Sequence, residues 1–136
     1  MLRYVFVGDR RSELAKRRNV TWADRQLAAK TLFAALEPLG LVYKTDYDVV
    51  NAYLDSPAWT VLDSYDFRAL QRVQHCAKEG TIIIAMGRKA ESALLAHNIP
   101  HRYMTHPAAR GAIRKTARYR AHVRAVVGKE KEYGDL

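Results

Sequence analysis

The chain has a single cysteine, Cys76, among 136 residues. One thiol excludes an intrachain disulfide and an iron–sulfur cluster held by this chain alone. Long apolar runs are also missing. Stretches such as Ile82 to Met86 stop far short of the about 20 residues that cross a bilayer, so no membrane association is expected. The opening Met1-Leu2-Arg3-Tyr4-Val5-Phe6-Val7 is too short and too strand-like for a secretory signal, and a cytoplasmic, intracellular setting is expected. There is no Walker A loop, no Gly-x-Gly-x-x-Gly, and no Ser-His-Asp or Cys-His pattern with supporting context. His97 and His101 have a His-x3-His spacing, but Pro100 breaks the helix that would align them, so neither a metal nor another cofactor is expected. Acids are scarce: 14 against 23 lysines and arginines, a net charge of +9.

What is present is one domain's worth of chain with 49% hydrophobic residues, enough to fill a core. A single domain over 1–127 and a polar tail over 128–136 are expected, with the protein a monomer. The positive charge is clustered. Arg10, Arg11, Lys16, Arg17 and Arg18 form one group; Arg102, Arg110, Arg114, Lys115, Arg118, Arg120 and Arg124 form another. A merely soluble surface is the plain alternative, but two groups of one sign favour a phosphate-bearing partner.

Strand patterns fall at 2–7, 47–53, 81–86 and 101–104, with a short extended piece at 59–62. Helical patterns fall from the Thr21/Asp24 capping-box pair to about Glu37, over 67–78 with Phe67, Leu70, Val73 and Ala77 at core spacing, over 88–97, and over 108–127. The polar, basic segment 9–20 reads as a loop with room for a helical turn. Strands alternate with helices, and Ile82-Ile83-Ile84 is apolar without alternation. The class is therefore α/β: a three-layer α/β/α domain around a four-stranded, mostly parallel sheet.

In such a sheet, ligands bind beyond the carboxyl ends of the strands. The residues leaving those ends are Gly8, Asp9, Arg10 and Arg11 after the first, Asn51 at the second, Gly87 and Arg88 after the third, and His106-Pro107-Ala108 with Arg110 after the last. A carboxylate, an amide and an imidazole ringed by arginines suit a nucleobase. An amide both donates and accepts along a base edge, and Trp22 offers a stacking face.

Three stretches resemble the uracil-DNA glycosylase superfamily, in its compact and cluster-free form. They are Val5-Phe6-Val7-Gly8-Asp9-Arg10-Arg11-Ser12 continuing through Thr21-Trp22-Ala23-Asp24-Arg25-Gln26-Leu27; Asp48-Val49-Val50-Asn51-Ala52; and Ala85-Met86-Gly87-Arg88-Lys89-Ala90 followed by His106-Pro107-Ala108. The resemblance implies a uracil-DNA glycosylase-like fold and a hydrolase of DNA repair by base excision. Such an enzyme binds single- or double-stranded DNA, flips out uracil or a related base and hydrolyses its N-glycosidic bond. By carry-over, Asp9 and His106 are catalytic. Asp9 positions water or stabilises the sugar cation, and His106 stabilises charge on the departing base. Gly8, Trp22 and Asn51 hold the base. Arg10, Arg11, Arg88, Arg110, Arg114, Lys115 and Arg118 hold phosphates. The chain departs from the family where Arg10-Arg11-Ser12 replaces the Pro and final Gly of the first motif, and where Ala108 replaces a Ser. Two alternatives stay open: a non-catalytic DNA or nucleobase binder on the same fold, and an unrelated basic α/β module in which Trp22, Asn51 and His106 share no pocket.

Overall fold

The computed structural model describes residues 1–55, 64–109 and 116–128. The expected extended piece at 59–62, the phosphate candidates Arg110, Arg114 and Lys115, and most of the expected tail lie outside them.

Four strands form one sheet in the order β2-β1-β3-β4: β1 Tyr4–Gly8, β2 Tyr47–Asn51, β3 Ile82–Met86 and β4 Arg102–Met104. All three pairings are parallel, so the expected sheet is found, with parallel pairing throughout. Both faces of the central strands are apolar because both are covered. Tyr4, Phe6, Ile84 and Met86 pack towards helices α2 (Ala28–Leu36) and α5 (Thr116–Gly128), through Leu32, Leu36, Tyr119 and Val123. Val5, Val7, Ile83 and Ala85 pack on the other side towards α3 (Phe67–Lys78) and α4 (Arg88–Ala96), through Leu70, Val73, Ala90 and Leu94. This is a three-layer α/β/α arrangement.

The bounds of α3 and α4 match the sequence expectation closely. The helical turn allowed within the 9–20 loop is a six-residue helix, α1 (Glu13–Arg18); the Ser12 hydroxyl accepts from the Ala15 N–H at 3.1 Å, and none of the helix's residues is buried. Two others differ. The Thr21/Asp24 pair does not start the long helix. The Asp24 carboxylate accepts from the Thr21 N–H (2.7 Å), but the turn it closes is the 3-10 turn Trp22–Asp24. Arg25 (φ 57°) and Leu27 (φ 57°) then take left-handed backbone, and α2 begins only at Ala28. The helix expected over 108–127 does not start at Ala108 either, because the Ala109 N–H bonds the His106 carbonyl in a tight turn (2.9 Å).

Helical spacing assigns Phe67 to the core, yet it is 53% exposed. It opens α3 just after the Asp66 cap, and a helical side chain leans towards the N-terminus, so a first-turn side chain points off the end. It rests edge-on against Tyr65 and His97 instead. Leu70 is 2% exposed. Leu70→Ala should therefore cost about 2–5 kcal/mol in urea unfolding, and Phe67→Ala about 0.5–1.5 kcal/mol, the worth of its ring contacts. Equal losses would contradict this division of the helix.

Candidate functional site

The chain runs from β1 out to β2 and then back across to β3, so the switch point lies between β1 and β3. A cleft of about 190 Å³ opens at the carboxyl ends of the strands. Its polar wall holds Arg10, Arg11, Ser12, Thr21, Gln26, Asn51 and His106. Its apolar wall holds Leu14, Ala15, Val20, Leu27, Ala28, Ala29 and Ala108, and Trp22 also lines it. Drug-sized ligands occupy pockets of roughly 300–1,000 Å³; this one has the scale of a single ring system.

Asn51 ends β2 directly beside Gly8 in the register of the sheet. The Trp22 Nε1–H donates to Asn51 Oδ1 at 2.9 Å. An indole nitrogen can only donate, so this contact fixes which end of the amide is oxygen. Oδ1 faces the indole, and Nδ2, which bonds no described residue, is the end left for a ligand. Trp22 therefore engages Asn51 through its edge. Gly8 makes the arrangement possible: a Cβ there would lie 2.8 Å from Asn51 Oδ1 and 3.1 Å from Trp22 Cζ2.

His106 enters from the far side of the sheet, just past β4. Its Nδ1 accepts from the Ala108 N–H at 3.0 Å. A backbone N–H can only donate, so the imidazole proton sits on Nε2. Gly87, at φ 91°, lets the loop close in; a Cβ there would come within 3.4 Å of His106 Cβ. Burial pushes the His106 pKa below its usual 6.5, and the nearby Asp9 carboxylate only partly offsets this. The ring is therefore held neutral, as an Nε2–H donor. Its centroid lies 6.3 Å from that of Trp22, tilted by 55°.

Asp9 does not line the cleft. Its carboxylate lies beside it, with Arg10 Nε 3.8 Å from Oδ1 and Lys89 Nζ 3.9 Å from Oδ2. Oδ1 is shut off from solvent, and no described residue hydrogen-bonds it. A buried carboxylate oxygen left so costs about 1–3 kcal/mol or more and invites a donor.

The expected phosphate ligands divide. Arg10 lines the cleft, with its guanidinium 5.5 Å from the Tyr53 ring centroid. Arg11 also lines it, but its charge is spent on Asp55: Nε donates to Oδ2 at 2.8 Å and Nη2 lies 2.7 Å from the same oxygen. It pins the loop after β1 to the end of the β2 exit. Arg88 stacks on Tyr103 (4.6 Å) beside Glu91, outside the cleft. Arg118 is exposed on α5. Cys76 is half-buried against the second core cluster. His97 and His101 are bound locally, His97 Nδ1 at 2.8 Å from the Ala93 carbonyl and His101 Nε2 at 3.1 Å from Glu91 Oε2.

Sequence reasoning missed Gln26, Leu27 and Asp55. The left-handed residues on either side of Gln26 hold it in the cleft wall, and neither is a glycine or asparagine that would have marked the turn. Trp22, Asn51 and His106 do line one cleft, contrary to what an unrelated basic module would show.

No protein-family model matches the chain, and no curated protein matches it.

The geometry has two measurable consequences. Gly8→Ala must displace Asn51 or Trp22, so the indole N–H of Trp22 should lose its hydrogen-bonded position in NMR spectra, at a cost of about 0.5–1.5 kcal/mol for the broken bond. An unchanged indole signal would show that the strand moves instead. For His106, the folded pKa lies below the unfolded one. Its contribution to stability is complete above pH 6.5 and is lost as pH falls from there towards the folded value. The stability difference between the protein and His106→Gln should shrink on acidification from pH 7.5 to 5.5; a constant difference would contradict a buried neutral ring.

Proposed function

We propose that the protein is a cluster-free, uracil-DNA glycosylase-like enzyme. It binds DNA through its basic surface, takes a flipped uracil or related base into the cleft and hydrolyses the N-glycosidic bond. The observation that carries this reading is the convergence of Asn51, Trp22 and His106, from three distant parts of the chain, on one single-ring cleft at the sheet's switch point.

The hydrogen-bonding polarity of the cleft supports it. Asn51 presents Nδ2–H and His106 presents Nε2–H, two donors that suit the carbonyl oxygens of an oxo base. An exocyclic amine in place of an oxygen would set donor against donor. Departure of the base builds negative charge on those same oxygens, and a neutral donor preorganised towards them stabilises the transition state more than the ground state. Asp9, a carboxylate beside the cleft wall formed by Arg10, is the group this reading assigns to an attacking water or a developing sugar cation.

One observation favours the second reading, a binder that does not cut. Arg10 sits 3.8 Å from Asp9, and its cation opposes the positive charge that would develop on the sugar.

Incubation with uracil-containing single- and double-stranded DNA tests both. Abasic sites that vanish in His106→Ala and Asp9→Ala support the enzyme. Salt-sensitive, uracil-selective binding without abasic product supports the binder. Neither product nor salt-sensitive binding sinks both. Trp22→Phe keeps an aromatic face and removes the bond that orients Asn51. Preference for uracil over cytosine in oligonucleotide binding should then fall by about tenfold, a bond's worth of discrimination; retained preference would return Trp22 to a pure stacking role.

A further inference from the structure

One face of α5 bonds the loop that carries His106. β4 is a three-residue strand with β3 as its only neighbour in the sheet among the described residues, so its exit has little described ladder to steady it. The first residue beyond it is Thr105. The Thr105 N–H donates to His122 Nε2 at 3.0 Å, and the Tyr119 hydroxyl donates to the Thr105 carbonyl at 3.1 Å. Both backbone polar groups of this residue are thus bonded by α5 side chains three positions apart, which lie on one face of a helix. The next residue is His106.

We propose that Tyr119 and His122 are positioning residues that set the place and tautomer of His106, making α5 part of the cleft's machinery as well as of its basic surface. The inference deepens the proposed function and rests on it only for the meaning of His106; the clamp itself stands on its own geometry. Besides the Ala109 N–H that bonds the His106 carbonyl, three restraints converge on the loop. Thr105 is bonded on both sides, the Gly87 N–H holds the Met104 carbonyl at 2.8 Å, and the Ala108 N–H holds the imidazole. Loss of the first would let the peptide at Thr105–His106 rotate, and the ring's angle to Ala108 would follow. Tyr119 is 2% exposed and lies on the same apolar face of α5 as Val123 and Val126. Burial pushes its phenol far above the usual range, which keeps the hydroxyl a donor. His122 must accept, so a protonated imidazole, with donors at both nitrogens, cannot make this contact.

The test combines ring-nitrogen NMR of His106 with binding of a uracil-containing oligonucleotide. The intact protein should show His106 as a neutral Nε2–H imidazole. His122→Leu and Tyr119→Phe should each shift its ring-nitrogen signals towards a tautomer mixture and weaken binding by about tenfold, the loss of one hydrogen bond's worth of positioning. His122→Gln, whose side-chain oxygen again accepts from Thr105, should restore both. Val123→Ala, which loosens α5 without touching Thr105, should lower the melting temperature and leave the His106 signals in place. Should His122→Leu fail to fold, Tyr119→Phe keeps its buried ring and carries the same reading. An unchanged His106 signature in folded Tyr119→Phe and His122→Leu overturns the proposal. So does an equal change in Val123→Ala. Changes in His106 that His122→Gln reverses, in a protein that binds no uracil, uphold the clamp and retire the base-binding reading.

Discussion

Burial of both faces of β1 and β3 is the constraint on which the rest of the structure depends. Side chains at alternate positions point to opposite faces, and here both sets are apolar: Phe6 and Ile84 on one, Val7 and Ala85 on the other. Two helix layers must cover them, and consecutive parallel strands can be joined only by crossovers over those faces. Every strand then ends at the same edge. The carboxyl ends of β1, β2 and β4 deliver Gly8, Asn51 and His106 to that edge, Gly8 and Asn51 as register partners.

Close approach decides what the edge can do. Gly8 lacks the atom that would occupy the space of Asn51 Oδ1, so indole, amide and backbone pack within hydrogen-bonding distance. Donor-only partners at Trp22 and at the Ala108 N–H then settle the amide's orientation and the imidazole's tautomer. The charges are arranged around this neutral centre. Arg11 is neutralised by Asp55, Arg10 shares Asp9 with Lys89, and Arg118, Arg120 and Arg124 remain exposed on α5. Both arginines that line the cleft thus lie beside a carboxylate, and a bare buried cation, which would be costly, is avoided there.

Much of this was legible in the amino-acid order. The unbroken Ile82–Met86 run announced a strand covered on both sides, and 67–78 and 88–97 announced their helices through apolar spacing closed by Gly80 and Pro100. The strand ends announced Asn51 and His106. What failed to show has a common cause. Arg25 and Leu27 adopt left-handed backbone that neither residue type favours, so the start of α2 was hidden. Phe67 kept the core spacing of its helix but had no turn before it. Tyr119 stood at a core position beside Val123 and Val126, and a buried phenol needs a partner, yet nothing local named Thr105.

The sequence by itself determined the class of fold, the edge where a site must lie and the residue types delivered there, because periodicity and strand order are local properties. Only the tertiary structure decided that Trp22 meets Asn51 by its edge, that Asp55 absorbs Arg11, that Asp9 stands beside the cleft, and that α5 holds the residue before His106. Those pairings span 14 to 44 positions of chain or hang on a few tenths of an ångström at Gly8. They arise from how the layers pack, and packing is a property of the whole chain.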